Sequence, residues 1–142
     1  MMFSMMLLTL LLMLFAINCK ADEKGIVIVA NPSVLVSEIS RGDIRRIYFG
    51  KMKKWPNGMR IKAAQIKNGV LPEIFSSELM RKRLKKYKLY WKRVIAAGTG
   101  IPPRSFGSQE EMLEYIKSTE GAIGYIGALS DTTGVVILKV TN

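Results

Sequence analysis

The sequence of 142 residues contains no histidine and a single cysteine, Cys19. Without histidine, the serine–histidine–aspartate and cysteine–histidine arrangements of hydrolases cannot form, and the usual zinc ligand sets are also excluded. No pair of carboxylates stands out for acid–base chemistry, because Asp43, Glu110 and Glu111 each lie where a helix cap explains them. The residues therefore predict a protein that is not an enzyme and that needs no metal or cofactor.

Acidic side chains are also scarce, with 11 aspartates and glutamates against 22 lysines and arginines. The formal net charge of +11 favours anionic partners: phosphate or similar oxyanions, nucleic acid, or anionic lipid. Composition alone does not choose among the three.

Charged side chains are absent from the first eighteen positions, and residues 5–17 are almost continuously apolar. This run is shorter than the roughly 20 residues of a membrane span. It predicts a secretory signal peptide at residues 1–21, because Cys19 and Ala21 place small residues at the two recognition positions. The alternative is an uncleaved or lipidated anchor at Cys19. Cleavage leaves one domain of 121 residues, 22–142, without cysteine; losing Lys20 lowers the net charge from +11 to +10.

Apolar runs at residues 25–30, 121–126 and 135–140 predict buried strands. Asn31 and Pro32 end the first run, since proline cannot extend a central strand. Residues 60–66 alternate weakly and predict a further strand. Residues 97–107 are predicted to be a loop.

Two capping boxes predict helix starts, Ser40-Arg-Gly-Asp43 and Ser108-Gln-Glu-Glu111. In the first, the Asp43 carboxylate is expected to return to Ser40. Residues 71–96 are helical in pattern, as two helices or one bent helix. Alternation of helices with apolar strands predicts an α/β domain of three layers.

The run from Arg81 to Arg93 contains eight basic residues and three aromatic ones. It has two interpretations: a surface for nucleic acid or anionic lipid, or the solvated side of a helix. The second is favoured by a stripe at helical spacing, Leu84, Tyr87, Trp91 and Val94. Trp55, beside Pro56, is predicted to anchor its loop.

Six segments occur in an order that resembles one family. They are Val29-Ala-Asn-Pro-Ser33, Ile44-Arg-Arg-Ile-Tyr-Phe-Gly-Lys51, Trp55-Pro-Asn-Gly58, Tyr90-Trp91, Gly98-Thr-Gly-Ile-Pro-Pro-Arg104 and Gly121-Ala-Ile-Gly-Tyr125. The chain resembles short, single-lobe relatives of the phosphate ABC transporter substrate-binding proteins, of the periplasmic-binding-protein-like type II fold. The resemblance implies a mixed sheet with helices on both faces and an exported, periplasmic module. It also implies non-catalytic binding of inorganic phosphate or a similar oxyanion, and a transporter or envelope protein as partner.

The chain departs from this family at the anion loop. The family has a Ser-Gly-Thr run there, whereas this chain has Lys67-Asn-Gly-Val70 and so lacks the hydroxyls. A helix start still offers free N–H groups and a favourable dipole, and Lys67 adds charge. The chain is also about half as long as a two-lobed binding protein, and a homodimer would supply a second lobe.

The candidate ligand-binding residues fall in three places along the chain. Lys67, Asn68 and Gly69 form the first place, and their structural alternative is an ordinary turn before a helix. Thr99 and Arg104 form the second, where the alternative is a shaped connection between helices. Ser33 is the third, where the alternative is a turn after the first strand. Two other functions stay open, a ligand-free envelope interaction protein and a basic binder of nucleic acid or anionic membranes.

Overall fold

The computed structural model describes residues 25–128 and 130–142. The six strands are β1 Ile26–Ala30, β2 Glu38–Ser40, β3 Lys62–Ile66, β4 Arg104–Phe106, β5 Ala122–Gly127 and β6 Val136–Thr141. The four α-helices are α1 Arg41–Tyr48, α2 Val70–Ile74, α3 Leu84–Ala97 and α4 Gln109–Ser118. A 3-10 turn at Pro32–Val34 follows β1, and α2 runs directly into a π-helical turn at Phe75–Leu79. The predicted signal peptide at residues 1–21 lies outside the described residues.

The strands form one mixed sheet in the order β2-β6-β1-β5-β3-β4. Strand β1 is antiparallel to β5 and β6, whereas β3 is parallel to β4 and β5, and β2 is parallel to β6. The apolar sequence of β1 is explained by a strand on each side and by cover on both faces. Val29 and Ala30 are fully buried, as predicted.

Strand β5 shows the three layers, because its successive side chains point to opposite faces. At Gly124 an added Cβ would lie 2.5 Å from Ile116 Cδ1, so α4 packs directly on that face. Tyr125 points to the other face, where its ring stacks on Phe75 with centroids 4.1 Å apart. Phe75 also contacts Tyr48 of α1 edge-on at 4.7 Å. Helices thus cover both faces, and the predicted fold class is confirmed.

Two short strands correct the prediction. Strand β2 was not predicted, and β4 lies inside residues 97–107, which the sequence predicted to be a loop. Neither has the alternation or length of a typical strand, so each is recruited by a longer neighbour rather than by its own pattern. Residues 71–96 form two helices rather than one bent helix.

Both predicted N-caps are confirmed. The Ser40 hydroxyl accepts a hydrogen bond from the Asp43 N–H at 3.0 Å, and Ser108 does the same for Glu111 at 3.2 Å. The Asp43 carboxylate, however, takes Arg46 as its partner at 2.9 Å instead of returning to Ser40. That half of the capping box is replaced by an ion pair one turn along the helix.

The two tryptophans lie in the core. The Trp55 indole donates to the Gly121 carbonyl at 2.9 Å, so Trp55 anchors its loop as predicted. Trp91 and Tyr87 form the buried centre of the predicted α3 stripe, and the lysines of that run are exposed. No helix within the described ranges is long and apolar enough to span a membrane.

Candidate functional site: two cationic grooves

Two surface grooves lie on either side of α3 and the loop that follows it, and Trp91 and Pro102 line both. The larger groove has a volume of about 710 Å³. The smaller groove has a volume of about 400 Å³. Each is rimmed by cations, and neither has a carboxylate among its lining residues.

The smaller groove lies where β3 ends. Its rim carries three lysines, and its floor is aromatic. The lysines are Lys67, Lys88 and Lys92, and the floor consists of Phe75, Tyr87, Trp91 and Tyr125. Ligands of open α/β sheets commonly bind at the carboxyl ends of strands, and this groove occupies such a position.

Hydrogen bonds fix the end of β3 against the floor of the smaller groove. The Tyr87 hydroxyl donates to Gln65 Oε1 at 2.7 Å, and the Tyr125 hydroxyl accepts from the Ile66 N–H at 3.1 Å. On the neighbouring wall the Ser76 hydroxyl donates to the Lys82 carbonyl. The strand end that carries Lys67 is therefore held in place before any ligand binds.

Burial changes the acidity of these phenols. It raises the pKa of Tyr125 from 10.0 to about 12, although the hydrogen bond from Ile66 works in the opposite direction. Burial likewise raises the pKa of Tyr87, and that of Tyr48 beneath it, well above the ordinary value. All three phenols stay neutral at physiological pH, so the floor adds no negative charge to oppose the lysines.

The larger groove lies at the opposite end of β3, between three segments. These are the loop after α1, the residues leading into β3, and the loop from α3 to β4. Five cations line it, namely Lys51, Lys53, Arg60, Lys62 and Arg104. The Arg104 guanidinium lies over the Tyr115 ring, 5.0 Å from its centroid, which is cation–π geometry.

The wall formed by the loop after α1 is tied to α3. The Trp91 indole donates to the Tyr48 carbonyl at 3.0 Å, and the Tyr90 hydroxyl donates to the Phe49 carbonyl at 2.8 Å. Gly50 has a φ of +73°, and an added Cβ would lie 2.9 Å from Trp91 Cη2. Only glycine fits there, because any side chain would be strained by the backbone and would press on the indole.

The predicted candidates divide between the two grooves. Lys67 and Asn68 line the smaller groove, and Gly69 follows them as the N-cap of α2, with a φ of +106° and no side-chain cap. Thr99 and Arg104 line the larger groove. The structure thus brings together the members of each pair, and it separates the two pairs.

Ser33 lines neither groove. Its hydroxyl accepts from the Gly121 N–H at 3.0 Å, and its own N–H donates to Asn31 Oδ1 at 3.0 Å. The Asn31 amide in turn donates to the carbonyls of Ile116 and Lys117, at 2.9 and 3.1 Å. These bonds connect the end of β1 to α4 and to the start of β5.

Sequence reasoning missed several cations that line the grooves. Lys88 and Lys92 are four residues apart on α3, so they share one helix face, and that spacing could have identified them. The cations of the larger groove come from three separate segments and carry no such signal.

The aromatic residues of the basic run are not placed to stack on bases. Tyr87 and Trp91 are buried, and the hydroxyl of half-buried Tyr90 bonds to Phe49. Nothing in residues 25–128 and 130–142 gathers three histidine, cysteine, aspartate or glutamate side chains as a metal site.

No family model matches the chain, and no curated protein matches its sequence. Solved structures do match. An ABC-type phosphate transport receptor from Vibrio cholerae aligns over 82% of this chain and 46% of its own, with a TM-score of 0.64 and 16% identity. A Clostridium perfringens protein aligns similarly, over 82% of this chain and 45% of its own, with a TM-score of 0.64 and 18% identity. It was solved with bound phosphate and is described as a phosphate ABC transporter substrate-binding protein.

PstS from Borrelia burgdorferi aligns over 84% of this chain and 48% of its own, with a TM-score of 0.58 and 17% identity. The chain has the fold of phosphate-transport substrate-binding proteins. It spans slightly less than half the length of these structures, which is consistent with a single lobe. The predicted resemblance in fold is therefore confirmed.

Proposed function

We propose that this protein is a non-catalytic binding module that holds phosphate or a similar oxyanion in the smaller groove. The observation that carries the proposal is the set of three lysines around that groove, Lys67, Lys88 and Lys92, with no carboxylate among the lining residues. Ammonium groups act as point charges towards phosphate oxygens. Because no carboxylate is among the described residues that line the groove, none of them competes with phosphate for these lysines.

Hydrogen-bond donors beside these lysines add to the site. Asn68 supplies an amide at the rim. Gly69 begins the helical segment that continues from α2 through the π-helical turn, and no side chain caps it. The first N–H groups of a helix lack internal partners and favour anions. We expect the free N–H groups of Val70 and Leu71, which follow the groove residue Asn68 closely, to take the place of some of the missing hydroxyls; Pro72 has no N–H to add.

The comparisons support the class of ligand. The Clostridium perfringens structure contains phosphate, and the Vibrio cholerae protein is a phosphate transport receptor. This chain corresponds to about half of each, so we expect a ligand held from one side and bound more weakly than an enclosed one. Export after removal of residues 1–21, and delivery of the anion to an envelope transporter, would fit such a role.

The test is titration calorimetry of phosphate, with sulfate as a second anion, into the purified protein. We expect saturable binding that weakens by about tenfold or more in the double variant Lys67→Ala/Lys92→Ala, which removes two cations from the rim. The matched control is Lys85→Ala/Lys86→Ala, which removes the same charge from exposed positions of α3 that do not line either groove.

Arg104→Ala serves as a second control, because Arg104 lies in the larger groove. Equal affinity losses in the two double variants, with about half that loss in Arg104→Ala on a logarithmic scale, would show that only long-range charge matters. Absence of heat with both anions would refute oxyanion binding and leave the fold unchanged.

A further inference from the structure

We propose that the larger groove is a docking site for an extended, acidic segment of a partner protein that also carries an apolar side chain. This function is separate from the one proposed for the smaller groove. It gives a role to Arg104, a candidate that the fold places away from Lys67.

The charge of the larger groove is the first argument. The structure describes two ion pairs, Arg46–Asp43 and Lys117–Glu114, and neither belongs to the groove. Within the described part of the chain, the five cations that line the groove therefore have no carboxylate partner within 4 Å. A groove lined by charge of one sign attracts an anionic occupant.

Exposed apolar surface is the second argument. Ile101 has 90% of its surface exposed, in the loop that lines the groove, and it stands between Gly100 and Pro102. Covering an exposed isoleucine with an apolar partner removes its surface from water and so favours binding. An inorganic anion offers no apolar surface, whereas a peptide can place a carboxylate beside the cations and an apolar side chain against Ile101.

The walls of the groove are formed in advance. The loop after α1 is hydrogen-bonded to α3, as described above, and the Lys51 N–H donates to the Arg46 carbonyl at 2.7 Å. The Ile61 N–H donates to the Lys53 carbonyl at 2.9 Å, which ties this loop to the residues leading into β3. Pro102 and Pro103 stiffen the third segment. A preformed groove spends little free energy on ordering itself when it binds.

The dimensions and the charge favour an acidic protein segment over other occupants. At about 710 Å³ the groove is larger than the 400 Å³ groove proposed for an inorganic anion, which leaves room for a longer occupant. A second copy of this chain would bring its own net charge of +11 towards the same cations. Single-stranded nucleic acid binds through aromatic stacking, but Trp91 is 5% exposed and Arg104 lies over Tyr115.

Fluorescence anisotropy with a labelled twelve-residue peptide of glutamates, glycines and two leucines tests the proposal. The variant Lys53→Glu/Arg60→Glu should weaken binding about tenfold or more, because two attractions become repulsions. The matched control Lys85→Glu/Lys86→Glu changes the net charge equally outside the groove and should change affinity less than about threefold. Circular dichroism confirms that each variant is folded.

The apolar contact is tested separately with Ile101→Ser, which alters a side chain that the fold does not bury. Binding of the leucine-containing peptide should weaken about threefold, and binding of an all-glutamate peptide should not change. The proposal is overturned if both double variants lose affinity equally. It is also overturned if oligo-dT or anionic vesicles bind more tightly than the peptide and lose affinity in Lys53→Glu/Arg60→Glu.

The same variant separates this proposal from the proposed function. In the phosphate titration, Lys67→Ala/Lys92→Ala should lower the affinity by the same factor whether or not Lys53→Glu/Arg60→Glu is also present. Peptide docking can fail while phosphate binding holds, and the reverse is equally measurable.

Discussion

The two grooves share a wall and a sign of charge, yet they are built differently. The three lysines of the smaller groove come from a strand end and one helix face, above buried tyrosines. The five cations of the larger groove lie mostly on loops, beside exposed Ile101. A compact set of cations on rigid elements suits a small anion. A dispersed set with apolar surface suits a longer partner.

Trp91 is the residue on which both grooves depend, so Trp91→Ala should have the largest effect. It removes a buried indole and the hydrogen bond to the Tyr48 carbonyl, and it should lower the free energy of unfolding by about 3–5 kcal/mol. Leu89→Ala is the control, because Leu89 is on the same helix and 44% exposed. Urea unfolding curves for the two variants compare them. Similar midpoints would show that Trp91 does not hold the wall between the grooves.

Gly50→Ala should affect stability next most strongly, from the larger groove alone. The added methyl group combines a left-handed backbone with overlap at Trp91, for a cost of about 2–4 kcal/mol. Gly98→Ala is matched to it, since Gly98 lines the same groove with a φ of +66° but has no atom within 4 Å of an added Cβ. Its cost should be about 1 kcal/mol. Thermal unfolding of both variants measures the two losses of stability. Equal losses would contradict the proposed overlap between the added methyl group and Trp91.

Alkaline pH should weaken the fold through the tyrosines of the smaller groove. Burial raises the pKa of Tyr125 to about 12, so above pH 10 the unfolded chain loses a proton that the native state keeps. The stability associated with each such phenol is therefore complete below about pH 10 and falls by about 1.4 kcal/mol per pH unit above it.

The measurement is the urea midpoint between pH 8 and 11, for the natural protein and for Tyr125→Phe. At pH 8 the urea midpoint of the variant should be lower, because the Ile66 N–H loses its hydrogen-bond acceptor. Above pH 10 its midpoint should fall less steeply than that of the natural protein. A slope equal to that of the natural protein would mean that Tyr125 ionises in the folded state as readily as in the unfolded one.

Neutralising the larger groove should produce the smallest change. Lys53→Gln/Arg60→Gln reduces repulsion within the cluster and should raise Tm by about 1–2 °C at low ionic strength. The gain should disappear at about 0.5 M salt, where exposed charges are screened. Differential scanning calorimetry measures Tm at both salt concentrations, with Lys85→Gln/Lys86→Gln as the control. A gain that persists in high salt would have a cause other than charge.

The sequence predicted the parts of the fold that carry a strong local pattern. The apolar run of β1, the caps at Ser40 and Ser108 and the stripe through Tyr87 and Trp91 are decided by nearby residues, and the structure confirms each. Strand β4 was missed because Arg104, Ser105 and Phe106 have no strand periodicity. Their conformation comes from pairing with β3.

The separation of Lys67 from Arg104 could not be predicted either, because it depends on register. Arg104 pairs with Ala64, whereas Phe106 pairs with Ile66, the last residue before Lys67. Three residues of a parallel strand span about 10 Å. The two cations therefore lie towards opposite ends of the same strand pair, and no spacing in the sequence contains that information.

The position of β1 has a consequence for the order of folding. Its residues, 26–30, are made early, but both of its partners, β5 and β6, lie beyond residue 121. Until residues 122–141 are present this apolar segment has no strand to pair with, and the bonds from Asn31 must span 85 and 86 residues. Closing loops of that length makes folding slow and leaves apolar chain exposed meanwhile. The centre of the sheet can therefore form only once β5 and β6 are present, after every other strand of the sheet has been made.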